Sequence, residues 1–260
     1  MPTSPDARYR PLTASVVLHH SDLHQLTLTL DSLVVAAKSA DIELHLSIVD
    51  QSLDSEYTAR AQAAVAAVCD GAPLAWDFLV SERNRGFGAG HNQVVGQLSS
   101  HVHLVLNPDV QLADDALRKA MHQFEEHAEL VLLAPRSVDT AGREEHIAKD
   151  HPSVLVLLLR AFAPVWMQRP FRPLLDRYEL RHLATEGPMQ PVRLVSGCCM
   201  WIRVGALQAV QGFDEAYFLY FEDYDLSLRL AEQGLVMRDP NIRITHYGGK
   251  AASKGWRHIR

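Results

Sequence analysis

Three carboxylates stand close together among aromatic residues in the stretch Phe218-Leu-Tyr-Phe-Glu-Asp-Tyr-Asp-Leu-Ser-Leu-Arg-Leu230. They are Glu222, Asp223 and Asp225. The leucines that follow recur at helical spacing, which predicts a helix that begins near Glu222 and carries the acids in its first turn. Carboxylates there stay ionised because of the helix dipole, and an ionised carboxylate can take up a proton or bind a cation. A simpler interpretation, in which Asp223 or Asp225 only caps the helix, remains open from this stretch alone.

A further acid follows the predicted strand 102–106, in the sequence Leu106-Asn-Pro-Asp-Val110. Asp109 would be delivered at the carboxyl end of a buried strand, with a proline fixing the turn. Such an acid can serve as one ligand of a hard divalent cation. Asp114 and Asp115 come soon afterwards, but apolar residues at helical spacing follow them, so they are interpreted as a helix cap and first turn.

A glycine-rich stretch, Asn84-Arg-Gly-Phe-Gly-Ala-Gly-His-Asn92, opens a predicted helix that runs to about residue 98. Glycines let a backbone approach a ligand closely, and a helix N-terminus accepts negative charge. A dinucleotide fingerprint does not fit, because His91 stands where a glycine is needed and the loop follows the third strand, not the first. A Walker A loop does not fit either, since no Gly-Lys-Ser/Thr follows. A flexible loop with turn glycines is the remaining alternative.

Predicted strands alternate with predicted helices in the first half of the chain. The strands are 14–18, 44–49, 74–80, 102–106 and 129–134, and two further strands, 192–202 and 242–245, are predicted later in the chain. This alternation predicts an α/β fold with a largely parallel, Rossmann-like sheet and helices on both faces. Ligands of such sheets collect at the carboxyl ends of the strands, so the loops after those ends are the place to look for chemistry.

The composition indicates an ordinary globular protein. The chain has 260 residues, of which 47% are hydrophobic and 22% charged, with a net charge of −6. We expect one domain with an embellishment, no nucleic-acid binding and, from three cysteines without paired spacing, no disulfide framework. No secretory signal and no run of 18 apolar residues are evident, so a protein that is cytoplasmic or peripheral at the inner face of a membrane is expected.

The alternation breaks down between about residues 143 and 190. The stretch 153–169 is strongly apolar, is interleaved with Arg160 and Arg169, and is followed by a region broken by prolines. It is too short to span a bilayer. Two interpretations remain open: a packed core helix, or an interfacial segment that touches lipid or a lipid-borne acceptor. A basic tail, 250–260, contains Trp256 and would add to such a surface.

In this order, the motifs resemble those of the inverting family 2 glycosyltransferases of the GT-A fold. The resemblance is closest to bacterial rhamnosyltransferases that use dTDP-L-rhamnose to build cell-surface polysaccharide such as O-antigen. It spans roughly residues 14 to 249 and is carried by Val49-Asp-Gln-Ser, Asn84 to Asn92, Leu106-Asn-Pro-Asp-Val110, Ser196-Gly-Cys-Cys-Met200, Gly212-Phe-Asp-Glu215, Phe221-Glu-Asp-Tyr-Asp-Leu226 and Thr245-His-Tyr-Gly-Gly249. His91 and the pair His19-His20 depart from the family's usual residues, at positions expected at strand ends facing the pocket.

The resemblance implies a single GT-A domain with a nucleotide-sugar half (about 12–135), the inserted segment (about 143–190) and an acceptor half (about 191–249). Asp223 would be the general base, and Glu222, Asp225, Gly197 and Trp201 would orient the acceptor, Asp225 by bonding helix or loop amides. Asp109 and His246 would bind Mg²⁺ or Mn²⁺. The nucleotide-sugar pocket would include Asp50 against the base, together with His19, Ser21, Asn84, Gly86, Phe87, Gly88, Asn92 and Asn107.

The implied donor is a nucleotide-diphosphate sugar, dTDP-rhamnose or alternatively a UDP-sugar. The implied acceptor is a saccharide, free or linked to polyprenyl diphosphate. The acceptor hydroxyl would attack the anomeric carbon directly, with inversion, while a cation stabilises the departing diphosphate. Two other functions stay open: a sugar nucleotidyltransferase, although the loop His19-His-Ser-Asp22 lacks the glycines and basic residues expected of one, and a catalytically inactive nucleotide-sugar-binding module.

Overall fold

The computed structural model describes residues 12–247, so the predicted basic tail 250–260 and the glycines Gly248 and Gly249 lie outside the described residues. The strands are β1 (Leu12–Leu18), β2 (Leu44–Asp50), β3 (Leu74–Val80), β4 (Val102–Leu106), β5 (Val110–Leu112), β6 (Leu130–Val138), β7 (Glu144–Glu145), β8 (Ala148–Lys149), β9 (Gln190–Pro191), β10 (Leu194–Val195), β11 (Cys199–Arg203) and β12 (Leu235–His246). The helices are α1 (Leu23–Ala40), α2 (Ser55–Cys69), α3 (Phe87–Val95), α4 (Ala116–Glu126), α5 (Val154–Phe162), α6 (Val165–Gln168), α7 (Arg172–Tyr178), α8 (Val204–Ala209) and α9 (Glu222–Ala231).

One large sheet organises the fold. Along its main path the strand order is β3-β2-β1-β4-β11-β6-β12-β5. The strands β3, β2, β1 and β4 pair in parallel, and β6 pairs in parallel with β12, whereas β11 runs antiparallel between β4 and β6. The predicted α/β fold with a mostly parallel sheet is therefore confirmed, and the carboxyl ends of β1 to β4 lie along one edge.

The sheet is buried because its central strands are apolar on both faces. Every residue of β4 is buried, and Leu12, Val16 and Leu18 of β1 are fully inaccessible. Such continuous apolar strands are typical of parallel sheets covered by helices on both sides. The helix α1 packs on this core through Leu26, Leu30 and Leu33, and its first turn is capped by the Asp22 side chain, which accepts from the amides of His24 and Gln25.

Several element boundaries differ from the sequence expectation. The predicted strand over 192–202 is divided into β10 and β11, because the chain leaves the main sheet at Ser196 and Gly197, and β10 pairs with β8 instead. The final strand is longer than predicted, since β12 extends from Leu235 and pairs in turn with β6, β9 and β5. Both differences bring loop residues to the edge where the site lies.

The inserted segment contains α5, α6, a 3-10 turn at Arg169–Phe171 and α7. It has a small apolar core of its own, formed by Val156, Leu159, Leu175 and Tyr178. The interpretation of 153–169 as an ordinary core helix therefore holds for only one face of α5. Among the described residues, no helix is both long enough and apolar enough to cross a membrane.

Candidate active site

The acidic cluster lies at the start of α9, as the sequence predicted. The helix begins at Glu222, and its N-cap is Phe221, which has a φ of 68°. Neither Asp223 nor Asp225 is the cap, so the capping interpretation is wrong. The Asp223 carboxylate is half-buried and accepts two backbone hydrogen bonds, from Gly197 N at 3.0 Å and from Tyr224 N at 2.9 Å. Burial raises the pKa of Asp223 above its usual value, and the two amide bonds partly offset that effect.

Glu222 is the more deeply buried of the two neighbouring acids. Its side chain is 5% exposed, and its Oε2 has no hydrogen-bond partner within the described part of the chain. Burial, with a contribution from the charge of Asp223, raises the pKa of Glu222 to about 7. An ionised carboxylate without partners is unfavourable in such surroundings, so Glu222 carries a proton below neutral pH.

We expect Glu222→Gln to stabilise the protein at alkaline pH. The folded-state pKa of about 7 lies above the ordinary glutamate value of 4.5, so the wild type loses stability as the pH rises from 4.5 through 7. At pH 8 the variant should gain up to about 3 kcal/mol in free energy of unfolding, and near pH 5 it should gain almost nothing. Urea unfolding at both pH values measures this difference, with Glu232→Gln on the exposed end of α9 as the control. A gain of equal size at pH 5 and pH 8 would contradict the assignment.

Asp225 does not bond helix or loop amides, which corrects the expectation from the resemblance. Its carboxylate pairs with Arg229: Oδ2 accepts from Nε at 2.8 Å and lies 2.6 Å from Nη2. Arg229 in turn donates to the carbonyls of Val210 and Gly212. Asp225 therefore holds the loop before the acidic cluster through an arginine.

Gly197 and Trp201 come from the same motif but occupy different places. A Cβ on Gly197 would lie 2.8 Å from Cε1 of Phe87, so only glycine lets this backbone approach Phe87 while its amide binds Asp223. Trp201 is fully buried in the main core on β11. The expected role of Trp201 in orienting an acceptor is wrong, because its side chain does not reach the surface.

The glycine-rich loop is held by Gln51 at the end of β2. The Gln51 amide donates to Gly86 O and its carbonyl accepts from Arg85 N, both at 2.9 Å. Asn84 accepts from Gly86 N at 2.9 Å, and its Nδ2 lies 3.5 Å from the ring nitrogens of His19. The expected pocket residues His19 and Asn84 are therefore neighbours at the carboxyl ends of β1 and β3.

The glycines of this loop serve contacts within the chain, not the close approach to a ligand expected from sequence. Gly86 has a φ of 91°, and a Cβ there would lie 2.0 Å from the carbonyl oxygen of Phe218. A Cβ on Gly88 would lie 2.6 Å from Cβ of Phe213. Asn92 reinforces the contact, because its side chain donates to Phe213 O at 2.8 Å and accepts from Phe213 N at 2.9 Å. The glycine-rich loop is thus bonded directly to the loop that precedes α9.

The remaining expected nucleotide-side residues lie around the same edge. The hydroxyl of Ser21 accepts from His19 N at 3.4 Å. Asp50 is fully buried, with one oxygen accepting from Ser52 N at 2.9 Å and the other from the Thr58 hydroxyl at 2.5 Å. The contact of Asp50 with a base stays a prediction. Asn107 follows β4, and its backbone N–H donates to Cys198 O at 2.9 Å.

The expectation that His91 faces the pocket at a strand end is wrong. His91 is fully buried on α3, and its Nδ1 lies 2.7 Å from Ser15 Oγ. Ser15 Oγ also lies 2.8 Å from Nε2 of His103, whose Nδ1 lies 2.8 Å from Thr13 Oγ1. Burial lowers the pKa of both histidines to about 3, so both rings are neutral at ordinary pH.

Asp109 and His246 come together, as the resemblance implied. The Asp109 Oδ1 atom lies 3.5 Å from His246 Nε2, is buried, and has no hydrogen-bond partner among residues 12–247. The other ring nitrogen of His246 lies 3.0 Å from Glu145 Oε2. A buried carboxylate oxygen without a partner beside an imidazole fits Mg²⁺ or Mn²⁺. In the described part of the chain, no group of three or more His, Cys, Asp or Glu side chains is arranged so that it could hold a metal ion.

A cleft of about 810 Å³ opens beside Asp223 and contains several residues that the sequence reasoning missed. Its lining includes several residues of the inserted segment: Glu145 and Lys149 before α5, Arg160 on α5, Tyr178 on α7 and Arg181 after α7. The only signal for these residues in the sequence is weak, namely charged side chains where the α/β alternation breaks down. The cleft also reaches Glu222, Asp223 and His246, so it joins the acidic cluster to the candidate metal ligands.

Comparison with known proteins agrees with this arrangement. No protein-family profile matches the chain. The chain is 30% identical over 185 residues to the N-acetylglucosaminyl-diphospho-decaprenol L-rhamnosyltransferase of Mycobacterium tuberculosis, in each of two strains. The aligned region covers 66% of this chain and 58% of that relative, so the match extends over little more than half of the relative's length.

Solved structures show the same fold. The chain superimposes on GalNAc-T7 with UDP, GalNAc and Mn²⁺ with a TM-score of 0.64 and 12% identity, covering 93% of this chain and 44% of that one. It also matches the Pyrobaculum calidifontis mannosyltransferase PcManGT with GDP-Man and Mn²⁺, with a TM-score of 0.62 and 15% identity, over 95% of this chain and 60% of that one. The chain therefore has the GT-A fold of glycosyltransferases and is similar in sequence to an L-rhamnosyltransferase.

Proposed function

We propose that the protein is an inverting glycosyltransferase that transfers L-rhamnose from dTDP-rhamnose to a saccharide carried on a lipid diphosphate. The observation that carries the proposal is Asp223, whose carboxylate is fixed by the amides of Gly197 and Tyr224 in the wall of the 810 Å³ cleft. The similarity to an L-rhamnosyltransferase whose printed name includes a lipid-linked acceptor supports the choice of both substrates.

The chain's own groups suit a direct displacement. Asp223 is held in one orientation and has a raised pKa, which makes it a stronger proton acceptor than an exposed aspartate. In the proposed reaction it removes the proton of the acceptor hydroxyl as that oxygen attacks the anomeric carbon from the face opposite the diphosphate. The anomeric configuration therefore inverts, and no covalent intermediate with the protein is needed.

Asp109 and His246 would hold the divalent cation, since the unpartnered Asp109 oxygen faces the imidazole. A cation bound there would act as a Lewis acid for the departing diphosphate. Asn107, which follows the buried strand β4, would contribute at most a neutral oxygen. The rest of the donor pocket would be the edge formed by His19, Asn84 and the loop held by Gln51.

A donor screen tests the proposal. Purified protein would be incubated with dTDP-rhamnose, UDP-GlcNAc or GDP-mannose, with and without Mn²⁺, and with a GlcNAc-diphospho-polyprenol acceptor. We expect transfer from dTDP-rhamnose in the presence of the metal and a product of inverted configuration by NMR. Turnover of another donor alone would contradict the rhamnose assignment, and absence of turnover with every donor would contradict the enzymatic function.

We expect Asp109→Ala to weaken binding of dTDP and to remove its dependence on metal. The diphosphate would lose the counter-charge that a cation at Asp109 supplies. Thermal stabilisation by dTDP, measured with Mn²⁺ and with excess chelator, reports both effects. The matched control is Asp114→Ala, which removes an exposed carboxylate from the same connection. Full activity of the wild type in excess chelator would falsify the metal role.

A further inference from the structure

Two segments that carry exposed apolar side chains also contribute to the lining of the cleft. Most of the large hydrophobic side chains that are exposed within residues 12–247 lie in two segments, 154–171 and 217–221, which we call the apolar rim. In α5, only Val156 and Leu159 are buried, whereas Leu155 and Leu158 point outward and are 44% and 51% exposed. A helix that is apolar on its outer face as well as its packed face marks a surface for an apolar partner.

Both parts of the rim contribute to the lining of the cleft. Leu157, Arg160 and Ala161 of α5 line it, and so do residues 220–224. The hydroxyls of Tyr178 and Tyr224, 2.7 Å apart, connect α7 to α9. The apolar surface is therefore continuous with the entrance through which an acceptor would reach Asp223.

A basic cluster lies in the cleft beneath the rim. It consists of Lys149, Arg160 and Arg181, with Glu179 as their shared acid: Glu179 binds Arg160 at 2.5 Å and Arg181 at 2.6 Å. The Lys149 ammonium lies 5.6 Å from the centre of the Tyr178 ring and is in no ion pair with the residues that the structure describes. Arg181 also pairs with Asp176 at 3.0 Å, so the three cations face two carboxylates and one positive charge is left in excess.

The other acids of the cleft do not neutralise this cluster, because each is engaged elsewhere or stands apart. Glu144 pairs with Arg136 and Arg238, and Glu145 lies against His246 and Ser137. Burial is the main cause that lowers the pKa of Lys149 to about 8; Glu179 and Glu145 offset part of this effect, and Arg160 and Arg181 add to it. An anionic group bound between Lys149 and the arginines would supply the ion-pair partner that Lys149 lacks.

We propose that the inserted segment binds the lipid end of the acceptor: the basic cluster holds its diphosphate, and the apolar rim rests on the bilayer that contains its chain. This inference rests on the proposed function and adds the place where the acceptor binds. The positive charge left in excess suits an anionic group such as a diphosphate, and an apolar surface with arginines at its edge suits the boundary between headgroups and acyl chains.

The first test uses farnesyl diphosphate, a short isoprenoid diphosphate without a sugar, and dTDP as the competing diphosphate. In titration calorimetry, Lys149→Met should weaken binding of farnesyl diphosphate about 10-fold or more and leave binding of dTDP unchanged. The control, Lys38→Met, removes an exposed lysine from the end of α1 and should change neither. Weaker dTDP binding with unchanged farnesyl diphosphate binding would assign the cluster to the nucleotide and overturn the inference, as would two unchanged affinities.

The second test examines the rim with vesicles of phosphatidylcholine, with or without phosphatidylglycerol. Full-length wild type should sediment with the anionic vesicles at low salt, and Leu158→Ser with Trp166→Ser should reduce the bound fraction at least about 10-fold. The matched control is Val35→Ser with Leu235→Ser, which removes exposed apolar side chains away from the cleft. No sedimentation of the wild type, or equal loss in both variants, overturns the rim assignment.

The two proposals can fail separately. If dTDP binds and dTDP-rhamnose is turned over, yet farnesyl diphosphate does not bind, the proposed function stands and this inference is wrong. If neither the nucleotide nor any donor is used by the wild type, the proposed function itself is wrong. Unfolding temperatures of all variants confirm that each is folded.

Discussion

Replacing Asp223 with asparagine is expected to reduce the rate of glycosyl transfer by about 10² to 10⁴-fold while leaving dTDP binding almost unchanged. Asparagine has nearly the same shape, but the bonds from Gly197 N and Tyr224 N end on different oxygens of Asp223, so its single carbonyl oxygen can keep only one of them. It also cannot take the proton from the acceptor hydroxyl. The loss should therefore appear in kcat, measured under saturating donor and acceptor.

The control for this experiment is Asp214→Asn, which changes an exposed aspartate in the neighbouring loop that does not line the cleft. Its kcat should stay close to that of the wild type. If Asp223→Asn also retained near wild-type turnover, Asp223 would have to be regarded as a residue that only fastens Gly197 to α9. A parallel loss of dTDP affinity would instead indicate that the site had rearranged.

The second large effect concerns stability in acid. Burial lowers the pKa values of His91 and His103 from the ordinary histidine value of 6.5 to about 3. Between these values the unfolded chain binds more protons than the folded one, so stability is full above pH 6.5 and falls as the pH decreases towards 3. Two such groups together lower the free energy of unfolding by up to about 2.7 kcal/mol for each pH unit.

Urea unfolding between pH 7 and pH 4 measures this slope. We expect His103→Gln to be less stable than the wild type at pH 7, because the bonds with Ser15 and Thr13 are altered. The slope of its acid limb should nevertheless be about half as steep. His122→Gln on the exposed face of α4 should leave the slope unchanged. An acid limb as steep in His103→Gln as in the wild type would show that other groups control acid unfolding.

The sheet and the helix of the acidic cluster could be predicted because their signals are local. Alternating apolar strands and helices specify a parallel sheet, and leucines at helical spacing place Glu222 and Asp223 in the first turn of α9. The meeting of Asp109 and His246 depended on the resemblance, because these residues are far apart in sequence and come together only through the pairing of β12 with β5.

The errors came from contacts that no local pattern reveals. His91 comes just after the glycines, where a ligand-facing residue is expected, yet it is buried in the core. There it contacts Ser15 on β1, and Ser15 also contacts His103 on β4. Trp201 belongs to one of the motifs that carry the resemblance, but its side chain is fully buried in the core. The basic cluster was missed because Lys149, Arg160 and Arg181 are spread over a segment with no regular alternation, and only the packing of α5 against Tyr178 brings them together.

The contact between the glycine-rich loop and the loop before α9 limits how this protein can be redesigned. Phe87 N donates to Phe218 O at 3.2 Å, and Arg85 pairs with Glu215. The Asn92 side chain hydrogen-bonds both the backbone N–H and the backbone carbonyl of Phe213. A graft that exchanged residues 84–92 with those of a relative, to change the sugar that is transferred, would bring in side chains shaped for a different partner loop. Residues 84–92 and 212–221 therefore form one exchangeable unit, and a chimera needs both from the same parent.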